Sequence, residues 1–312
     1  MYSHTNYNFG HDEWDNSTQK LREWTWARNP SMYWRMPIAF GPMPGPRQTT
    51  LGEARKATQS TFTTASIKFK TSRTILQNLF PKNNSSFRFK SPGTIAYASF
   101  SQTTLNKMEW LGGSGYKHIG LYIHGIEYVK KDGDIISGTY MPILFESLTD
   151  PVVSGREELG MPKLYTSIDI YRREKSYRIN TGWEGANWGN FVLGDLEEAD
   201  AALESGKISG EDDDGILVYR YIPCVGRENK GKAEAEYPVF VPFKEDEPQP
   251  KTQRVYKAAK ASFEIDALDW EALPTLHHVI SRLGELPVYE IVSGKLVEGV
   301  GVPDVGVARR IE

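Results

Sequence analysis

The sequence predicts a mainly β fold with a minor helical part (α+β), in which an antiparallel sheet closes on itself or folds into a sandwich. Three observations predict it. From about residue 62 onward, segments of alternating apolar and polar residues follow one another, separated by turn residues. Helical spacing is confined to a few short stretches. No βαβ alternation, no glycine-rich phosphate loop after a strand and no internal repeat occurs, which argues against a doubly wound parallel sheet.

Residues 1–60 read as an N-terminal extension with little periodicity, ahead of a main domain at 61–312. Trp24, Trp26, Tyr33, Trp34, Met36 and Phe40 are too many large apolar groups for a solvated tail, so the extension is expected to pack on the main domain or on a neighbouring subunit. Gly41 to Arg47, with three prolines, is a turn-rich connector. Phe62 to Lys70 then alternates as a strand, and Arg73 to Phe80 has helical spacing up to Pro81. Strands are expected at Ile95 to Thr104, Tyr116 to Tyr128 and, after the Asp132-Gly133-Asp134 turn, Ile136 to Phe145. Tyr165 to Tyr171 and Ser176 to Thr181 form two more, joined by a charged turn at 172–175. Leu196 to Glu204 reads as helical, and 211–214 as a solvated acidic loop. Ile216 to Ile222 is a strand ending at Pro223, followed by polar loops at 227–236 and 244–251. Val255 to Leu268 is a long strand and Leu276 to Leu283 a short helix; strands at Val288 to Val292 and Leu296 to Arg309 finish the chain.

At 312 residues, with 39% hydrophobic and 25% charged residues, the chain can bury a sizeable core as one large domain or two small ones. A net charge of −3 gives no basic field for nucleic acid. No apolar stretch approaches membrane-span length and no signal core opens the chain, so a cytoplasmic protein is expected. The one cysteine, Cys224, leaves no internal disulfide and no cysteine metal cluster, so neither a metal nor another cofactor is expected. Aromatic residues at 12% suit a roomy apolar pocket or an aromatic interface.

The stretch Gly155-Arg156-Glu157-Glu158-Leu159-Gly160-Met161-Pro162-Lys163-Leu164 carries the chemistry. Pro162 fixes its own φ and holds Lys163 at the mouth of a strand, between Met161 and Leu164. A free lysine titrates near ~10.4, and bringing it to about 7 takes roughly 4–5 kcal/mol, which burial can supply. A neutral amine there attacks a ketone to form a Schiff base, which then accepts electrons from a neighbouring bond. Composition alone also allows a solvated loop lysine.

Gly-Arg-Glu, a short apolar spacer and Pro-Lys resemble the signature of the acetoacetate decarboxylase superfamily. The strand Tyr219 to Ile222 ending at Pro223 is similar, as is the closing run Leu283-Gly284-Glu285-Leu286-Pro287-Val288-Tyr289-Glu290-Ile291-Val292-Ser293. The likeness spans about residue 40 to 310. It implies a closed, mostly antiparallel, cone-like β-barrel with a few short helices, an oligomer of identical chains, and Lys163 as Schiff-base nucleophile. In the family a second lysine follows; here it is Leu164. The family's catalytic glutamate falls on His124 of Tyr122-Ile123-His124, its carboxylate-binding arginine near Phe62, and another buried glutamate near Ser101 and Gln102. A nucleophile kept while the small-acid contacts change implies a substrate larger than acetoacetate, such as a polyketide-derived keto acid of secondary metabolism.

Lys163 and His124 are therefore the candidate catalytic residues, with His124 as proton carrier or, on the plainer reading, a hydrogen-bonded core histidine. Tyr122, Met161 and Leu164 are candidate substrate contacts, and Arg156 and Glu157 a charged anchor for the Pro-Lys turn. Strict alternation in Tyr116 to Tyr128 would put Tyr122, His124 and Ile126 on one cavity-lining face. His118 and Glu127 read as surface, and His277 and His278 as helix surface or packing. The expected partner is a small keto acid or ketone. The competing readings are a decarboxylase, an aldolase or dehydratase using the same iminium, and a non-covalent scaffold that binds or cyclises an apolar substrate.

Overall fold

A computed structural model describes residues 29–55, 59–82, 86–202, 213–243, 250–303 and 305–311. The chain divides into two compact units, Met1–Lys56 and Ala57–Glu312. In the first, Gln48 is 3% exposed and ties the proline-rich run together. Its amide oxygen accepts from the Tyr33 N–H at 2.8 Å, while its nitrogen donates to the carbonyls of Tyr33 and Met43.

The second unit is a 14-stranded sheet. Its strands are β1 (Thr61–Ser72), β2 (Phe87–Phe89), β3 (Ile95–Asn106), β4 (Tyr116–Val129), β5 (Ile135–Glu146), β6 (Lys163–Tyr165), β7 (Ser167–Arg173) and β8 (Ser176–Trp183). They continue with β9 (Ala186–Ala199), β10 (Gly215–Pro223), β11 (Ala233–Pro242), β12 (Lys251–Ile265), β13 (Glu290–Val300) and β14 (Arg309–Arg310). The helices are α1 (Arg73–Gln77), α2 (Thr149–Glu158) and α3 (His277–Gly284). No helix among the described residues is long and apolar enough to cross a membrane.

The expected closed barrel is not formed. The strands run β14-β11-β10-β5-β4-β3-β1-β13-β12-β9-β8-β7, with β2 on β4 and β6 on β5 as side branches, and β14 does not pair with β7. Closure needs a continuous ladder with a consistent stagger. Here β14 is two residues long, β10 meets β5 in parallel through two residue pairs, and β7 is largely exposed. The sheet is predominantly antiparallel, as expected, but open.

Several local readings also change. The Leu196 to Glu204 helix is instead the end of β9, because Leu196 to Ala199 pair with Val255 to Ala258 of β12; cross-strand pairing overrides the helical propensity of Leu-Glu-Glu-Ala. Residues 203–204 lie outside the described residues. Part of the 227–236 loop is β11, and the two expected C-terminal strands are one, β13, ending at Val300. Residues 211–212 of the acidic loop and 244–249 of the second polar loop also lie outside the described residues.

Two irregularities set the face each residue of β4 presents. Leu121 pairs with Ile143 but Ile123 with Tyr140, which leaves an extra residue in β5; Ile126 then pairs with Gly138, which leaves one in β4. Gly125, at φ +68°, forms this second bulge. Ile119, Leu121, Ile123, Ile126 and Tyr128 consequently all point into the main core, while Tyr122 points to a smaller cluster with Met141, Leu144, Leu159 and Met161. Tyr122 and Ile126 do not share a face. At the centre of the main core Phe69, Phe100, Phe191 and Phe263 interlock, with the Phe100 and Phe263 rings 4.9 Å apart. Phe100→Ala is expected to cost about 3–5 kcal/mol, the range for a deleted core aromatic, read as a lower urea midpoint at unchanged slope.

Candidate active site

Asp150 and Pro151 lie in the first turn of helix α2. Proline is tolerated in a first turn because its missing N–H has no intrahelical partner there. Helix α2 ends at Glu158 with Leu159 as its C-cap, and Gly160 follows at φ +69°, the left-handed stop that glycine adopts at no cost. The N–H groups of Leu159 and Met161 both return to the Gly155 carbonyl. The chain then enters β6, which lies parallel to β5 with Lys163 beside Leu144 and Tyr165 beside Glu146. The Pro162 carbonyl accepts from the Leu144 N–H at 3.1 Å. The Arg156 guanidinium donates to the Lys163 carbonyl at 3.0 Å, from one turn of α2 to the strand it precedes.

This frame buries Lys163 to 6% exposure. Its amine lies 2.7 Å from Glu146 Oε1 and donates to the Pro151 carbonyl at 3.1 Å. The apolar wall expected around it is replaced by a carboxylate within hydrogen-bond reach. Gly155 forms the opposite boundary, since a Cβ there would stand 2.5–2.6 Å from the Lys163 Cδ, Cε and Nζ.

Two residues of β4 complete the surroundings. His118, read from sequence as surface, is the cross-strand partner of Glu146, and its Nδ1 is buried without a partner among the described residues. Burial, helped by the Lys163 charge, pushes its pKa down to about 3, so the ring is neutral. Burial and the Glu146 charge hold the Tyr122 phenol protonated well above its ordinary value. Glu146 itself is 1% exposed. Burial raises its carboxyl above the ordinary range, against the pull of the Lys163 charge and hydrogen bond.

His124 belongs to a different set of groups. It lies six residues beyond His118, roughly 20 Å along a strand at ~3.3 Å per residue, and so does not face Lys163. The Thr139 hydroxyl donates to Asp213 Oδ2 at 2.6 Å, so its oxygen accepts from His124 Nδ1 at 3.2 Å. Nε2 is then the acceptor, and Ser99 donates to it at 2.7 Å. Lys90 closes the chain on Asp213 Oδ1 at 2.9 Å. Burial first, and the Lys68 charge second, push the His124 pKa down to about 4, with Asp213 opposing.

The remaining sequence candidates fall as follows. Met161 is buried in the smaller cluster with Tyr122, whereas Leu164 packs against the main core on the other face of β6. Glu157 is half-buried, and Glu127 pairs with Arg88 at 2.9 Å. His277 is half-buried, bonded through Nδ1 to the Leu268 carbonyl, and His278 is exposed. Among the described residues no group of three or more His, Cys, Asp or Glu could hold a metal ion. Glu146 was missed because it ends the apolar run Met141 to Phe145 and carries no motif. A carboxylate closing a buried strand was the one available signal.

Two consequences can be measured. Gly155→Ala drives a methyl group into the Lys163 side chain, so reactivity of the amine toward a carbonyl probe is expected to fall sharply while the fold persists; an unchanged labelling rate at Lys163 contradicts this. His124 and His118 both titrate lower folded than the ordinary 6.5. Below that value the unfolded chain takes up protons first, so the stability they contribute is present above 6.5 and is lost progressively as the pH falls toward about 4. A denaturant midpoint measured against pH should decline over that interval, and less steeply in His124→Gln.

Comparison with known proteins agrees with this architecture. A family model described as acetoacetate decarboxylase matches residues 35–302. A solved acetoacetate decarboxylase is 14% identical, with a TM-score of 0.58 over 85% of this chain and 94% of that one. Acetoacetate decarboxylase from Legionella pneumophila subsp. pneumophila is 14% identical, with a TM-score of 0.56 over 83% and 91%. The enduracididine biosynthesis enzyme MppR, complexed with pyruvate, is 11% identical, with a TM-score of 0.51 over 84% and 94%. At such identities these likenesses show a shared fold alone. No curated protein matches the chain.

Proposed function

Because this chain belongs to the acetoacetate decarboxylase family, we propose that it is a lyase whose Lys163 forms a Schiff base with a ketone or keto acid. The observation that carries the reading is the held amine: Lys163 is 6% exposed, fixed between Glu146 and the Pro151 carbonyl at the junction of α2 and β6. The unprotonated amine adds to the substrate carbonyl and water leaves. The resulting iminium draws the electron pair of an adjacent carbon–carbon bond toward nitrogen. In a β-keto acid the fragment lost is carbon dioxide; the enamine left behind is protonated on carbon and hydrolysed, freeing Lys163. A substrate larger than acetoacetate is in keeping with the apolar cluster of Tyr122, Leu159 and Met161, which reaches the chain just before Pro162 and Lys163.

A second reading draws on Glu146. A carboxylate 2.7 Å from the amine repels a substrate carboxylate and favours an uncharged ketone or aldehyde, which suits aldol or dehydration chemistry through the same iminium. Carbon dioxide release from a panel of β-keto acids separates the two.

Reduction with borohydride in the presence of β-keto acids and simple ketones is expected to leave a covalent adduct on Lys163, read by intact mass and peptide mapping. Lys163→Ala should give none. A wild-type protein that turns over a keto acid without any trappable adduct would be a non-covalent scaffold, and the lysine reading would be abandoned.

A further inference from the structure

We propose that Glu146 is the acid–base group of this site, carrying the protons that Lys163 must shed to the oxygen of the substrate carbonyl. The inference rests on the Schiff-base reading and adds a catalytic residue that the sequence did not single out.

The geometry gives Glu146 two distinct oxygens. Oε1 holds the Lys163 amine at 2.7 Å. Oε2 is buried and has no hydrogen-bond partner among the described residues. A carboxylate that merely neutralised a buried ammonium would be expected to have its remaining lone pairs satisfied, because an unpaired buried charge acceptor is costly. An oxygen left empty on the group that already touches the nucleophile is placed for the substrate. A second buried acceptor or donor without a partner, His118 Nδ1, lies on the strand directly across.

The charges around the pair fit proton exchange. Facing Glu146 are Lys163 from β6, His118 and Tyr122 from β4, and the Pro151 carbonyl and Gly155 of α2, which contact the Lys163 amine and its methylene chain. His118 is neutral and Tyr122 protonated, so neither competes with Lys163 for the carboxylate. Burial raises the proton affinity of Glu146, which narrows its gap to the amine and makes transfer easier.

The step balances. Glu146 takes one proton from the ammonium, freeing the nitrogen lone pair, which bonds to the carbonyl carbon as the carbonyl π pair moves onto oxygen. Glu146 returns that proton to the oxygen. It then moves the second nitrogen proton to the same oxygen, and the carbon–oxygen bond breaks to release water. Two protons leave the nitrogen, two arrive on the oxygen, the iminium keeps one, and Glu146 ends as the carboxylate it began as.

The test is the rate of cyanoborohydride trapping with acetone and 2,4-pentanedione as probes, followed by intact mass. Glu146→Gln is expected to form the adduct about 10²-fold or more slowly, with Glu146→Asp between it and the wild type. Adduct formation by Glu146→Gln at the wild-type rate overturns the proposal while leaving Lys163 as nucleophile. Absence of any wild-type adduct overturns both. Should Glu146→Gln not fold, the wild-type pH profile decides. With Glu146 as base the reactive form is the ammonium–carboxylate pair, so the rate is level through neutrality. It breaks downward only where Glu146 takes up a proton, above the ordinary carboxyl value of 4.5. A continuous fall of about tenfold per pH unit from the lysine range downward, as for an unassisted amine, overturns it.

Discussion

The buried pair between Lys163 and Glu146 governs how this part of the chain is built. Two ions withdrawn from water are tolerated only when each is held close to the other. That requirement is met by a three-residue strand, β6, laid in parallel along the end of β5 after a crossover, residues 147–162, that carries α2. It also explains two glycines: Gly155 leaves space for the lysine's methylene chain, and Gly160 turns the chain off the helix into the strand. Arg156 reinforces the turn from outside by bonding the Lys163 backbone and not its amine.

The same sheet carries a second buried polar chain, from Ser99 through His124, Thr139 and Asp213 to Lys90. Its members come from β3, β4, β5 and the segments flanking β2 and β10, and it gathers at the bulge where β4 loses β3 as a neighbour and gains β2. The Gly125 N–H also reaches toward Asp213. The chain satisfies polar groups that a bulge would otherwise leave unpaired. The two histidines of β4 thus divide: one lies across from Glu146, the partner of Lys163, and the other secures the irregularity.

Much of the sheet was legible because β1, β3, β4 and β12 alternate over long runs, and alternation is what a half-buried strand imposes. The Pro-Lys stretch was legible as a resemblance, and Lys163 from its place in it. What escaped depended on partners remote in sequence. Leu196 to Ala199 have helical composition and become strand only because β12 lies beside them. Glu146 acquires meaning from Lys163, which arrives after an intervening helix. His124 was assigned to the wrong neighbourhood because its distance along the strand from Glu146, and the extra residues in β4 and β5, come from pairing and cannot be read from alternation alone. Closure likewise depends on how the outermost strands meet, which local periodicity does not encode.

The position of β1 has a consequence for how the molecule is made. It lies between β3, its near neighbour in sequence, and β13, which pairs Val300 with Thr61 and so comes from far along the chain. A ribosome emitting this protein delivers β3 soon after β1, and β13 only after β4 to β12 have been made. Until then the growing chain offers one bare strand edge to solvent, and the sheet remains in two halves that no local contact can join. Such long-range closure is slow and leaves the nascent chain open to mispairing. The molecule's vulnerable interval is therefore set by the time taken to synthesise the stretch from β4 to β13.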